Sequence, residues 1–331
     1  MATMNEIAIR AGVSQATVSR VINGSSAVSP ETKAIVMEWV RKLDFQPNLA
    51  AKALVSNRSH LIGLVLPDVL NPYFTDIIYH IEKIAAFNGF NILFCNSDGD
   101  PKREQEIIKS LKSRQVEGLL IGFTDCHSPF IEELKSGTMK TVVITQSYPG
   151  LDCVGVSHQS GGQIAARHLI EKGCDRFLYQ GNTDDDKYKG FIKELEDGGV
   201  PRTDIDVIDM GHVWYHNSRK AYNSAVGYME DETLYGKTGV LAYNDFCALG
   251  FINAALDLKK KVPEQYSIIG FDDTYICQAV RPSLTSIAQP KEEIGRTAIN
   301  LLFHKIEDRN QKSIKPESIL LAPSLVRRES T

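Results

Sequence analysis

The stretch SQATVSRVIN, residues 14–23, holds the side chains with the most definite chemistry. Val18, Val21 and Ile22 repeat at i, i+3 and i+4, the buried side of a short helix. Gln15, Ala16, Ser19, Arg20 and Asn23 then fall on the opposite side, and Ala16 and Arg20, four apart, are surface neighbours. Gln pairs with adenine, Arg with the O6/N7 edge of guanine, and an Ala methyl meets thymine. Ser14, Thr17, Asn23, Ser29 and Thr32 are short polar groups at helix starts, suited to phosphate oxygens. The same pattern also fits a three-helix protein-binding domain whose Arg20 is merely solvated.

Catalytic chemistry finds little support. The chain has no GxGxxG, no Walker-type phosphate loop, no GxSxG elbow and no HExxH. Asp272-Asp273 is an acidic pair, but adjacent residues do not face one pocket from opposite sides. Six cysteines are scattered without a CxxC pair or a flanking His spacing, which argues against zinc and against a disulfide framework. No cofactor, no metal and no catalytic residue is expected.

The elements that position these residues fall into two grammars. Up to about Leu43 the pattern is helical: Thr3 with Glu6 forms a capping box, Gly12-Val13-Ser14 makes a turn, and Ser29-Pro30 opens a third helix. Ile35, Val36, Trp39, Val40 and Leu43 form the buried stripe of that helix. Three short helices around one core fit a helix-turn-helix module. From Leu61 onward apolar strands alternate with helices. The strands are read at Leu61–Leu66, Asn91–Cys95, Gly118–Gly122, Thr141–Thr145, Arg176–Tyr179, Gly239–Tyr243 and Ser267–Phe271. Repeated βα units predict parallel sheets covered on both faces, and the length predicts two lobes with a cleft. Between the segments, residues 46–60 include Pro47 and an Asn48-capped helix too short to hold alone.

Charge follows the same division. The chain carries −4 overall, yet residues 1–60 hold seven Lys/Arg against four acids, a +3 head on a −7 body. That asymmetry suits a nucleic-acid partner for the head alone. The absence of a signal segment and of a long apolar run predicts a cytoplasmic chain with no membrane partner.

The head, TMNEIAIRAGVSQATVSRVINGSSAVSPETKAIV, resembles the lactose/galactose-repressor (LacI/GalR) family. FQPNLAAKAL is similar to that family's hinge, LIGLVLPDVLNPYF to its first core strand and loop. LAYNDFCALG, VPEQYSIIGFDD and PSLTSIAQP are similar to its later signatures, in order and spacing. The likeness spans essentially the whole chain. It implies an all-α helix-turn-helix domain (1–45), a hinge helix and linker (46–60), and an α/β periplasmic-binding-protein-like core with parallel sheets (61–331). The core's N-lobe would take about 61–158 and 290–318, its C-lobe about 159–289 and 319–331.

The resemblance also implies a homodimer on a pseudo-palindromic operator, repressing until an effector binds. Leu54 of the hinge would wedge into the minor groove, with Ala51 beside it and Asn48 near the backbone. By resemblance the effector, a small sugar or sugar acid, meets Tyr73 and Phe74 on the first loop, Asn244 after β-strand LAY, and Asp272 in GFDD. Asn244 can donate and accept, and Asp272 can accept from two hydroxyls. Asp245 is read as capping the following helix or touching ligand, and Asp273 as holding a loop or touching ligand. Trp214, Tyr215 or His216 would close the cleft.

Three departures bear on the ligand. Lys187 stands where an Arg is usual, which loses a bidentate grip on a diol; it would meet an effector carboxylate or phosphate, or be only solvated among Asp184, Asp185 and Asp186. Gln146 replaces a common acid, and His158-Gln159 an Asp-Asn. The chief alternative to a carbohydrate-operon repressor is a solute-binding protein without a regulatory role, which gives no use to the head.

Overall fold

The computed structural model describes residues 2–24, 26–46, 58–124, 130–137, 139–210, 218–231, 236–308 and 315–331. Asn48, Ala51, Leu54, Trp214, Tyr215 and His216 lie outside the described residues. The chain divides into two units, Met1–Ser59 and His60–Thr331.

In the first unit, short polar residues set the helix starts. Thr3 caps α1 (Met4–Ala11), Ser14 caps α2 (Gln15–Ile22) and Ser29 caps α3 (Pro30–Lys42), with Pro30 at the first helical position. Gly12 ends α1 at φ 68°, the left-handed turn a Cβ would strain. Ile7, Ala8, Val18, Val21 and Val36 form the buried centre, ringed by half-buried Ile22, Trp39, Val40 and Leu43. One expected core residue is not there. Ile35 is 46% exposed, because the α3 stripe runs Val36, Trp39, Val40, Leu43 and Ile35 sits a hundred degrees round from its start.

The second unit holds two six-stranded sheets among the described residues. The first has strand order β11-β5-β4-β3-β1-β2 and is parallel throughout. Its strands are β1 (Leu61–Leu66), β2 (Asn91–Asn96), β3 (Gly118–Ile121), β4 (Lys140–Thr145), β5 (Asp152–Val156) and β11 (Ser318–Leu321). The second has order β12-β10-β9-β8-β6-β7, with only β12 antiparallel. It comprises β6 (Arg176–Gly181), β7 (Ile205–Asp209), β8 (Thr238–Ala242), β9 (Tyr266–Asp272), β10 (Thr285–Ala288) and β12 (Ser324–Val326).

Both faces of each sheet are covered, as near-continuous apolar strands require. On the first, α4 (Pro72–Phe87) and α12 (Lys291–Glu307) bury Ile77, Ile81, Ile294 and Ile299, while α5 (Pro101–Ser113) and α6 (Phe130–Ser136) bury Ile108 and Ile131 opposite. On the second, α7 (His158–Glu171) and α8 (Asp186–Asp197) cover one face; α9 (Ser218–Met229) and α10 (Asp245–Asp257) cover the other. The short α11 (Ile276–Ala279) follows β9.

The chain crosses between sheets three times: after β5, after β10 and after β11. The last crossing falls at 322–323 rather than after 318, because Ser318–Leu321 stays paired to β5 before β12 joins the second sheet. Leaving out β11 and β12, each sheet has the order 2-1-3-4-5 of a doubly wound fold. Ligands of such sheets sit beyond the carboxyl ends of the strands, where the winding reverses.

Candidate functional site

In the head, α2 exposes the polar side the sequence predicted. Gln15, Ala16, Arg20 and Asn23 are exposed, Thr17 and Ser19 half-buried, and Val18 and Val21 buried beneath them. The helix start is fixed twice, by the Thr17 N–H donating to Ser14 Oγ (3.1 Å) and by the Ser14–Thr17 hydroxyl pair (2.9 Å). Ser29 and Thr32 repeat the arrangement at α3, at 3.3 and 3.0 Å. Asn23 Nδ2 donates to Ser19 Oγ (3.4 Å). These hydroxyls therefore shape helix ends that present N–H groups and positive dipole ends to any phosphate nearby. Arg10 and Lys42 flank Trp39, at 5.7 and 4.9 Å from its ring, so part of the head's positive charge is anchored on an aromatic face.

In the second unit, polar side chains converge where both windings reverse. A cavity of about 80 Å³ is lined from the first lobe by Asn71, Tyr73, Phe74, Thr145 and Gln146, and from the second by His158, Lys187, Tyr243, Asn244 and Asp272, with Gln289 at the crossing. Six of the predicted effector residues thus meet: Tyr73, Phe74, Gln146, Lys187, Asn244 and Asp272. Its volume is well under the ~300–1,000 Å³ of small-molecule sites, so a sugar-sized ligand needs the lobes to part. A larger recess of about 710 Å³ is lined by Gly236, Thr238, Gln265 and Tyr266. It lies at the amino ends of β8 and β9, the wrong end of a parallel sheet for a ligand.

Each lining residue is placed by a local device. Tyr73 and Phe74 are not on a loop: Asn71 caps α4 through the Tyr73 N–H (3.0 Å) and Pro72 takes the first helical position, so both rings stand in the first turn. They meet edge to face, centroids 5.1 Å apart. Asn244, not Asp245, caps α10, its Oδ1 accepting from the Cys247 N–H (2.9 Å); its NH2 is the part able to donate to a ligand. Asp245 is buried and turned to the neighbouring loop, where it accepts from Thr274 N and Oγ1 (2.7 and 2.8 Å) and from Ser286 (2.6 Å). Asp273 is held by Arg328 at 2.7 Å.

Lys187 is far from solvated. Only 5% exposed, its Nζ donates to the Tyr243 carbonyl (3.0 Å) and lies 4.1 and 4.3 Å from the ring centroids of Tyr243 and Phe271. Asp185, the cap of α8, is 4.0 Å away. Glycines bring this corner together. A Cβ on Gly190 would stand 2.0 Å from the Gln159 carbonyl, and one on Gly162 2.1 Å from the Lys187 carbonyl, so α7 and α8 cross backbone to backbone and set His158 near Lys187.

Burial tunes the titratable groups. His158 is lowered from 6.5 to about 4, by burial first and then by the charge of Lys187; it is neutral at physiological pH. Its Nε2 is buried without a hydrogen-bond partner among the described residues, a group a ligand would satisfy. Asp272 is raised to about 7 by burial, against the pull of Lys187. One of its oxygens already accepts from Gln289 Nε2 (2.7 Å), and Gln289 Oε1 accepts from Tyr73 (3.0 Å). A hydrogen-bonded chain therefore links Tyr73 of the first lobe to Asp272 of the second, and leaves Asp272 less than the two free oxygens expected. Gln146 Nε2 donates to the Phe123 carbonyl (3.3 Å). Thr145 and Asp272 adopt φ of 69° and 107°, strained positions of the kind that gather at binding sites.

Sequence reasoning missed Asn71, Thr145, Tyr243 and Gln289 as lining residues, and noted His158 without placing it in the site. Asn71-Pro72 carried a cap signature. Gln289 stood in a quoted motif, at a crossing that only the topology shows.

Comparison with known proteins identifies relatives of both units. Residues 3–48 match the pattern of "Bacterial regulatory proteins, lacI family", and residues 166–331 that of a "Periplasmic binding protein-like domain". The HTH-type transcriptional regulator DegA of Bacillus subtilis is 33% identical, covering 99% of this chain and 98% of its own. The chain belongs to the LacI family. Catabolite control protein A of Staphylococcus xylosus is 31% identical over 99% of both chains. Among solved structures, a LacI family transcriptional regulator from Enterococcus faecalis with bound ribose is 29% identical (TM-score 0.69, 82% of this chain and 98% of that one). The lac repressor dimer bound to operator and an anti-inducer shares the fold at TM-score 0.86 and 24% identity, over 100% of this chain and 99% of that one.

Proposed function

We propose that this LacI-family chain is a repressor of a carbohydrate-utilisation operon, acting in the cytoplasm as a homodimer on a pseudo-palindromic operator. A small sugar or sugar acid in the cleft of the second unit controls its operator affinity. Binding, not catalysis, is its chemistry. The observation that carries the reading is α2, whose exposed Gln15, Ala16, Arg20 and Asn23 sit over buried Val18 and Val21. A solute binder without regulatory work has no use for that face.

In the major groove, Gln15, Ala16, Ser19 and Arg20 meet base edges while Ser14, Thr17, Asn23, Ser29 and Thr32 meet phosphates. Asn48, Ala51 and Leu54 serve the minor groove. In the cleft, Asp272, Asn244, Gln146 and His158 exchange hydrogen bonds with ligand hydroxyls, and Tyr73 and Phe74 give an aromatic wall. Lys187 sets the sign of the local field. Trp214, Tyr215 or His216 closes the cleft. Ligand shifts the lobes only by its differential affinity for the two arrangements.

Calorimetric titration of the full chain with neutral sugars, sugar acids and sugar phosphates tests the effector class, with Asp272→Ala as the control. The proposal expects one of the sugars or sugar acids to bind the wild type and to lose about tenfold or more in the variant. Tight binding of a purine or an amino acid in their place refutes it.

A further inference from the structure

The cleft assignment leaves one half-buried cation without a role. Lys291, the first residue of α12, does not line the cavity, yet its side chain is only 16% exposed. Its Nζ donates to the backbone carbonyls of Asp272 (2.9 Å) and Asp273 (2.7 Å), and lies 3.5 Å from Asp76 Oδ2. An ammonium has three donors; two meet these carbonyls of the second lobe, and its charge faces the Asp76 carboxylate as an ion pair. Asp76 belongs to α4 of the first lobe, the helix that carries Tyr73 and Phe74.

The two carbonyls come from an unusual place. Asp272 and Asp273 adopt φ of 107° and 48° in succession, a kink that residues with a Cβ hold only when their surroundings over-determine it. The second lobe grips it through the Asp273 N–H on Ser286 Oγ (3.0 Å) and through Arg328 on Asp273 (2.7 Å). Lys291 grips it from α12, which packs on α4 and on strands of the first sheet. The kink turns the Asp272 carboxyl to the cavity and its carbonyl to Lys291.

We propose that Lys291 is the positioning residue of the cleft: it holds the Asp272–Asp273 kink in shape and ties it to α4, so that the placement of Asp272 and the closure of the two lobes are one event. The inference rests on the assignment of Asp272 to the effector site, and it makes Lys291 a second route, beside the Tyr73–Gln289–Asp272 chain, by which a change at Asp272 reaches the first lobe.

The charged groups facing the Asp272 carboxyl are Lys187 from α8, Asp245 from α10 and Lys291 itself, with neutral His158 from α7 alongside. Both lysines favour the ionised carboxylate and Asp245 opposes it. The test uses the full chain with 13C-labelled aspartate carboxyls and neither DNA nor ligand. The Asp272 resonance, identified by its loss in Asp272→Asn, is titrated in wild type, Lys291→Met, Lys291→Arg and Asp76→Asn, and amide hydrogen exchange is followed at residues 272–274.

Lys291→Met should raise the Asp272 midpoint by about half a pH unit or more and speed exchange at 272–274 about tenfold or more. Lys291→Arg should bring the midpoint back most of the way, which a role in packing alone would not do. Asp76→Asn, at a half-exposed site, should speed the same amides although it lies in the other lobe. If Lys291→Met does not fold, Lys291→Gln carries the same two readouts. An unmoved midpoint with unchanged exchange in the Lys291 variant overturns the proposal; unchanged exchange in Asp76→Asn overturns the tie to α4. Neither result bears on whether a sugar binds, and a failed sugar titration leaves both readouts standing.

Discussion

Replacing Ile7 separates the folding of the head from its chemistry. Ile7 is fully buried at the centre of the first unit, on α1, away from the exposed face of α2. Trimming it to Ala removes three carbons, about 2.4 kcal/mol at ~0.8 per buried CH2, and the cavity left behind brings the cost to about 2–5 kcal/mol. The unit spans Met1–Ser59, and at ~0.05–0.15 kcal/mol per residue its whole stability is about 3–9 kcal/mol. Ile7→Ala therefore removes a large share of it, while Ile7→Val costs about 0.5–1.5 kcal/mol and leaves a folded head.

The chain has two tryptophans, and Trp39 sits half-buried against this core. In a Trp214→Phe background its fluorescence reports the head alone. Urea midpoints should fall in the order wild type, Ile7→Val, Ile7→Ala, with DNA binding tracking the folded fraction. An Ile7→Ala midpoint equal to wild type would refute the core as described.

Other expectations follow from single residues. Arg20→Ala should cost about 1–3 kcal/mol of specific binding and relax preference at one base position; competition among operator variants checks it, and a uniform loss at every position contradicts it. Because burial raises Asp272 from 3.8 to about 7, the native state keeps a proton that the unfolded chain gives up. Its contribution to stability is then most favourable below about pH 4, declines as pH rises through that window by about 1.4 kcal/mol per pH unit, and levels off above 7. Chemical denaturation at pH 5, 6 and 7 should show that slope disappearing in Asp272→Asn; a difference between the two proteins that is constant with pH counts against it. Gly190→Ala places a Cβ 2.0 Å from a backbone carbonyl and should cost about 3 kcal/mol or more, whereas Gly227→Ala, with nothing within 4 Å of its Cβ on α9, should gain up to about 1 kcal/mol. Thermal shift compares the pair, and equal effects would mean the α7–α8 crossing is looser than described.

What the sequence made legible was whatever announces itself locally. Ser14 and Ser29 gave away their helices because a cap is a property of four consecutive residues, and β1 was legible because LIGLVL is buried on both faces. β7, reading IDVID at the sheet edge, and β5, reading DCVGV between β11 and β4, were not recognised as strands; charge and glycine hide strands whose pairing is decided by distant partners. β10, β11 and β12 are three or four residues long and exist through their neighbours. The site followed the same rule. Lys187 could be found by position but not seen as buried, because its partners, Tyr243 and Phe271, come from other strands. Gln289 and Lys291 draw their roles from a chain crossing, which no local pattern records.

The most direct test of the account is equilibrium binding of the full chain to a duplex selected from a random library and to a scrambled duplex of equal length. Fluorescence anisotropy would follow it at two salt concentrations, with and without the sugar that calorimetry selects. The account predicts affinity for the selected duplex about a thousandfold or more above the scrambled one, a steep fall of both with salt, and a change of about fivefold or more in the first on adding the sugar. Equal affinity for both duplexes, unmoved by the sugar, would contradict it.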